Sequence, residues 1–210
     1  MKDLPKLWYS RGYLPHFDNA RVTQSITFRL NDSLPQHCLP AMQQELADLA
    51  DDEQQRQRRQ RIESLLDAGH GCCALRHPAV AAIMQETLIK WHEDRYQLWA
   101  WCIMPNHVHV LISPTAPLGK IIQSWKSFVA RWTRTRAEEL GIKVPETGFW
   151  MREYWDRFIR DDRHFNTAAA YIEKNPVAAG LCTQPRDWPW SSAAAATEKG
   201  QAELGLGGPR

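Results

Sequence analysis

The chain has 210 residues, 43% of them hydrophobic, with 26 Lys and Arg against 24 Asp and Glu for a net charge of +2 at pH 7. That length and apolar content suffice for one packed core with decorations, and the nearly balanced charge means that any nucleic-acid surface has to be a local patch. The five cysteines are odd in number and lack C-x-x-C spacing, which argues against a disulfide framework and a structural zinc cage. With no apolar run of membrane-spanning length and no signal-peptide core, the expectation is a cytoplasmic protein with no membrane partner.

Residues 21–30 alternate and are β-branched, which predicts a first strand closed by the turn residues 31–33. Residues 40–66 are polar, with Met42, Leu46, Leu49, Ile62, Leu65 and Leu66 at helix-like intervals, and the charge run over 51–60 reads as a solvated helix face. Pro78 opens a further helical stretch to about residue 92, so a helical insertion is expected at about 35–92.

The apolar run 96–103 predicts a strand ending at the turn Met104-Pro105-Asn106, and 107–113 predicts its hairpin partner in the middle of a sheet. Residues 118–136 place Ile121, Ile122, Trp125, Phe128, Val129 and Trp132 on one helix face, and Lys120, Lys126, Arg131, Arg134 and Arg136 on the other without an acid among them. Trp125 and Trp132 therefore read as core. A last strand is expected over 149–160, followed by a helix over 163–174 that Asp161 or Asp162 caps and that ends at Asn175-Pro176. From 193 to 210 the composition predicts a flexible tail, leaving 1–192 as a single domain. The order of elements fits an α+β fold, a ferredoxin-like antiparallel sheet covered on one face by helices.

Residues two apart on a strand share a face, so His107 and His109 project together while Val108 and Val110 project oppositely. Two imidazoles are half of a metal site. Tyr171 and Asn175, four apart on the late helix, share a face as well. Taken singly, Tyr171 reads as a half-buried helix residue and Asn175 as a C-terminal cap. Taken together, the four residues supply two imidazoles and an amide oxygen for Mg2+ or Mn2+, and a hydroxyl nucleophile beside them. Phosphodiester cleavage by a side-chain hydroxyl needs that division of labour.

Four stretches occur in the order that one family shows, residues 104–112 (Met-Pro-Asn-His-Val-His-Val-Leu-Ile), 125–128 (Trp-Lys-Ser-Phe), 149–160 and 171–177 (Tyr-Ile-Glu-Lys-Asn-Pro-Val), and 188–192 (Trp-Pro-Trp-Ser-Ser) also resembles that family's ending. Over roughly residues 10–192 the chain resembles the single-tyrosine HUH transposases, and more narrowly the REP-associated tyrosine transposases of bacteria. The resemblance implies a His-hydrophobic-His motif on a central strand and a catalytic tyrosine on a C-terminal helix. It implies that His107 and His109 bind the metal, that Tyr171 is the nucleophile, and that Asn175 takes the place of the third ligand. The expected reaction is breakage and joining of single-stranded or hairpin DNA through a 5′-phosphotyrosine link.

Lys120, Lys126, Arg131 and Arg134 are the expected phosphate contacts, with Arg157 and Arg160 extending the patch. Two other readings stay open: a non-catalytic hairpin-binding protein on the same fold, and a zinc hydrolase, which ranks low because no Asp, Glu, Cys or further His follows His109 at ligand spacing. Monomer and homodimer are equally compatible with the sequence.

Overall fold

The structure is a computed structural model and describes residues 8–10, 15–17, 22–35, 38–46 and 50–203. Its frame is a four-stranded antiparallel sheet of β3 (Gln24–Arg29), β4 (Tyr96–Ile103), β5 (His107–Pro114) and β6 (Trp155–Phe158), in the spatial order β4-β5-β3-β6. Helix α3 (Pro78–Lys90) joins β3 to β4, and α4 (Leu118–Thr135) joins β5 to β6. This is the β-α-β-β-α-β path of a ferredoxin-like sheet. Two short strands, β1 (Trp8–Ser10) and β2 (Pro15–Phe17), pair separately; at three residues each they are too brief for an alternation signal.

Strand alternation assigns the two faces. Ile26, Phe28, Val108, Val110 and Ile112 point to one side, where α3 and α4 lay down Val80, Met84, Leu88, Ile121, Ile122, Trp125 and Val129. Trp125 is fully buried there; its indole N–H donates to the Tyr96 hydroxyl, which donates to the Leu88 carbonyl at the end of α3. The second face carries Ala100, Cys102, Met104 and Leu111, covered by Ile172, Phe165, Ala168 and Ala169 of α5 (Asp162–Ala178). The expectation of helices on one face thus holds for the two crossover helices and fails for α5. Small side chains on both partners let this helix lie close to the β4–β5 half of the sheet, and β5 is buried on both sides accordingly.

The polar insertion is a helical hairpin, α1 (Cys38–Glu45) and α2 (Asp51–Asp67). Its own small core of Leu34, Met42, Leu46, Ile62 and Leu66 rests on Trp155 of β6, so α2 covers the β3–β6 half of the second face. Part of the charge run is solvated as expected, through the pair Arg56–Glu53 and the exposed Arg58 and Arg59. In its last two turns, however, Ile62 and Leu66 are buried and Glu63 and Asp67 are half-buried beside them.

Two helix boundaries depart from the sequence expectations. Helix α5 continues through Pro176 to Ala178, since the proline forfeits one backbone donor while the Ala179 amide still bonds the Asn175 carbonyl. Asn175 is therefore inside the helix and is not its cap. The tail expected from residue 193 begins as α6 (Ser192–Glu203), where four consecutive alanines favour helix and the Ser191 hydroxyl accepts from the Ala194 amide. Residues 204–210 of that tail lie outside the described residues.

Candidate functional site

The two halves of the second face meet along β5 and β3, and the histidines stand at that seam. His107 and His109 are 1% and 2% exposed, and their Nε2 atoms lie 2.9 Å apart with the rings edge to face. Each ring is held from behind. The His109 Nδ1 atom bonds the Thr27 hydroxyl of β3 at 2.8 Å, a contact fixed by the pairing of Thr27 with His109 across the ladder. The His107 Nδ1 atom meets the Asn106 Oδ1 atom at 2.8 Å.

The Asn106 contact decides a tautomer. Asn106 Nδ2 donates to the His70 carbonyl at 3.0 Å, and a carbonyl can only accept, so the amide is oriented with its oxygen toward His107. The His107 Nδ1 atom must then carry the proton, which leaves a lone pair on its Nε2 atom. Burial, and secondarily His109, pushes the His107 pKa well below its ordinary value; burial and the Arg59 charge push His109 down to about 3. Both rings are neutral at pH 7, the form in which imidazole ligates a metal.

Helix α5 brings Tyr171 over this pair. Its ring lies 5.7 Å from that of His109 in an edge-to-face arrangement, and the residue is 39% exposed, the accessible end of the constellation. One turn on, Asn175 is 3% exposed and its Oδ1 atom is buried without a hydrogen-bond partner. An orphaned buried carbonyl oxygen costs about 1–3 kcal/mol, which a bound cation would recover.

From the other side α2 contributes Glu63 and Asp67. With Gln60, Ser64, Tyr171, Lys174, Asn175 and Ala178 they line a cleft of about 370 Å³ between α2 and α5. The Asp67 Oδ1 atom is 3.9 Å from His107 Nε2. Burial, with a smaller push from Glu63, raises the Asp67 pKa from 3.8 to about 6, the mark of a carboxylate short of compensating charge. Because His107 is neutral, the contact is not an ion pair. Tyr171 is held protonated by burial and by the charges of Glu63 and Asp67.

This donor set suits a hard divalent ion. Two ligands at about 2.1 Å and a right angle lie about 3.0 Å apart, close to the observed separation of the two Nε2 atoms. Among the described residues no group of three or more His, Cys, Asp or Glu is placed to hold a metal. An ion held here would need the Asn175 amide or a shift of Asp67 as its third ligand.

The expected phosphate contacts fall into two sets that the sheet separates. Lys120, Arg131 and Arg134 are exposed on α4, behind the face opposite the histidines. Lys126 donates to the Met151 and Arg152 carbonyls, tying down the approach to β6. Arg157 pairs with Ser25, in phase with Thr27, and so lies on the histidine face. Arg160 follows, with its amide bonded to the His164 ring. The fields of Arg157, Arg160 and Arg59 reach His164 together and lower its pKa after burial does. Sequence reasoning missed Asn106, Arg59, Glu63 and Asp67. The signal for the two acids was their i, i+4 spacing at the end of α2, in phase with Ile62 and Leu66.

The transposase IS200 like family matches residues 76–175, from the start of α3 to Asn175. A REP-associated tyrosine transposase of Escherichia coli (strain K12) is 28% identical over 114 residues, 52% of this chain and 62% of that protein. A Haemophilus influenzae protein that bears the same name provisionally is 30% identical over 103 residues, 46% of this chain and 58% of that one. The matches thus span less than two thirds of either relative. In fold, the chain is similar to a solved REP-associated tyrosine transposase bound to a REP hairpin, with TM-score 0.53 and 17% identity over 90% of this chain and 86% of that one. Among the described residues no helix is long and apolar enough to cross a membrane. Over residues 76–175 the chain is similar to the IS200-like transposases, and over about half its length to two REP-associated tyrosine transposase relatives, with a fold like that of a solved one.

Proposed function

We propose that the protein cleaves and rejoins single-stranded DNA beside REP-like hairpins, with Tyr171 as nucleophile and Mg2+ or Mn2+ held by His107, His109 and Asn175. The observation that carries this reading is the placement of a half-exposed tyrosine against two buried, neutral, converging imidazoles. His107, His109 and Asn175 would hold the metal, which would supply polarisation of the scissile phosphate beside Glu63 and Asp67. The solved relative bound to a REP hairpin supports hairpin DNA as the partner.

The Tyr171 hydroxyl oxygen forms a bond to phosphorus, and the bond from phosphorus to the 3′ oxygen of the upstream nucleotide breaks. The products are a 5′-phosphotyrosine and a free 3′-hydroxyl, and attack by a 3′-hydroxyl in the reverse sense joins strands without external energy. Glu63, which lines the cleft with Tyr171, takes the phenol proton during attack, and Arg59, 3.0 Å from that carboxylate, orients it. Arg157 and Arg160 hold the strand on the histidine face. The α4 charges, on the far face, serve a separate part of the DNA, the hairpin stem.

The test is cleavage of labelled single-stranded hairpin DNA with its flank, with and without Mg2+. The wild-type protein is expected to cut and leave a covalent protein–DNA species, and Tyr171→Phe to do neither. Cutting by Tyr171→Phe would overturn the assignment.

A further inference from the structure

We propose that Trp99 is a stacking platform for an unpaired DNA base flanking the phosphate at Tyr171. This subsite rests on the reading of Tyr171 as a DNA nucleophile. Trp99 is 47% exposed, yet it is held on several sides. The β4–β5 register shifts between Leu98 and Ala100, so Trp99 is the extra residue of a β-bulge. Bulges re-aim side chains beside functional sites. Leu98 faces the α3–α4 core and Ala100 the α5 side. The bulge turns Trp99 to the α5 side too, as its contact with Phe165 shows: ring centroids are 5.5 Å apart and the planes edge-on at 83°.

The ring edge is pinned as well. The indole N–H donates to the Ser113 hydroxyl oxygen at 2.8 Å, and Ser113 in turn bonds the Thr23 hydroxyl at 2.7 Å. The indole is thereby oriented before any ligand arrives. Phe128 and Ile89 are as exposed, at 45% each, but they sit on α4 and α3, away from the histidine face.

A nucleic-acid base suits this position better than an apolar protein partner because of what surrounds it. Phe165 adjoins His164, whose ring accepts from the Arg160 amide, and Arg157 and Arg59 complete a cationic group there. Such a group complements the phosphates on either side of a stacked base. From Phe165 to Tyr171 the helix rises about 9 Å. The base on Trp99 is therefore a short stretch of flank from the scissile phosphate, one bounded by the Phe165–Tyr171 span of the helix. Stacking requires an open base face, so the ligand is single-stranded flank and not the hairpin stem. Every base has such a face, so Trp99 adds affinity without reading sequence.

The experiment measures binding of the full chain, in EDTA, to fluorescent hairpin DNA with a single-stranded flank. The same DNA is used with an abasic residue at each flank position in turn, and as a hairpin without flank. Trp99→Ala is expected to weaken the flanked hairpin at least about tenfold, to leave the flankless hairpin unchanged, and to weaken the DNA abasic at one position no further. Trp99→Phe keeps most of the affinity; if Trp99→Ala fails to fold, Trp99→Leu carries the same comparison. Equal binding by wild type and the alanine or leucine variant, or an equal loss on every abasic DNA, overturns the platform. Covalent capture by the wild-type protein with Mg2+ is run alongside. Capture without a Trp99 effect removes the platform alone, and absence of both capture and flank binding removes the underlying reading with it.

Discussion

Replacing Asn106 with Ala should change the protonation of His107 before it changes anything else. Asn106 is fully buried and makes two side-chain bonds, accepting from His107 Nδ1 at 2.8 Å and donating to the His70 carbonyl at 3.0 Å. The substitution leaves the Nδ1–H group and a carbonyl unpaired, and at about 1–3 kcal/mol per buried unsatisfied group the cost to stability is about 2–4 kcal/mol after partial relaxation. It also frees the ring to carry its proton on the Nε2 atom, the atom that faces His109. Loss of such an outer partner typically lowers metal affinity about 10- to 100-fold. Nitrogen NMR of the metal-free wild type should show His107 neutral with the proton on Nδ1, and Asn106→Ala should show a mixture. Titration with Mn2+ should then give the affinity loss. A wild-type His107 protonated on Nε2, or a variant that binds Mn2+ as tightly as its parent, would refute the reasoning.

Asp67 gives a pH prediction with a definite sign. Its carboxyl is raised from 3.8 to about 6, so the ionised form is disfavoured in the fold; the penalty is absent below the unfolded value and complete above about 6. Metal-free protein should lose up to about 3 kcal/mol of stability across that window, and Asp67→Asn should flatten the profile, read by urea unfolding at each pH. An unchanged profile in the variant would show that the carboxyl is solvated. Gly71 has φ of +87°, and a Cβ there would lie 2.6 Å from the Asp32 carbonyl oxygen. Gly71→Ala should cost more than about 1 kcal/mol and, by displacing the neighbouring His70 carbonyl, disturb the Asn106 orientation seen by NMR. Arg131→Ala with Arg134→Ala should reduce the salt dependence of DNA binding by about 0.9 in slope per phosphate contact. Lys126→Met should lower the melting temperature and leave that slope unchanged, because its ammonium is engaged by backbone carbonyls.

The site was legible in the sequence where its signals were periodic. The i, i+2 spacing of His107 and His109 on an apolar strand and the i, i+4 spacing of Tyr171 and Asn175 on a helix each fix a shared face, and β5 and α5 place those faces together. What the sequence hid was which charged residues look inward. Glu63 and Asp67 belong to a run whose earlier turns are solvated, and a polar helix face over a polar cleft has the same pattern as one over water. Pro176 misled for a different reason. Proline forbids one helical donor, but the Ala179–Asn175 bond carries the helix past it, and so Asn175 points into the site instead of capping. Lys120, Arg131 and Arg134 of α4 are exposed as their helical phase predicts and Lys126 is not, while the separation of this face from Tyr171 by the whole sheet depends on strand order, which alternation does not encode.

The most direct test of the central claim is peptide mapping of the covalent species formed with single-stranded hairpin DNA and Mg2+. The account predicts a single modified peptide, with the 5′-phosphate of the downstream strand on the Tyr171 oxygen and a free 3′-hydroxyl on the released strand. A modification on another residue, or cleavage that leaves a 5′-phosphate with no protein attached at any time, would contradict it.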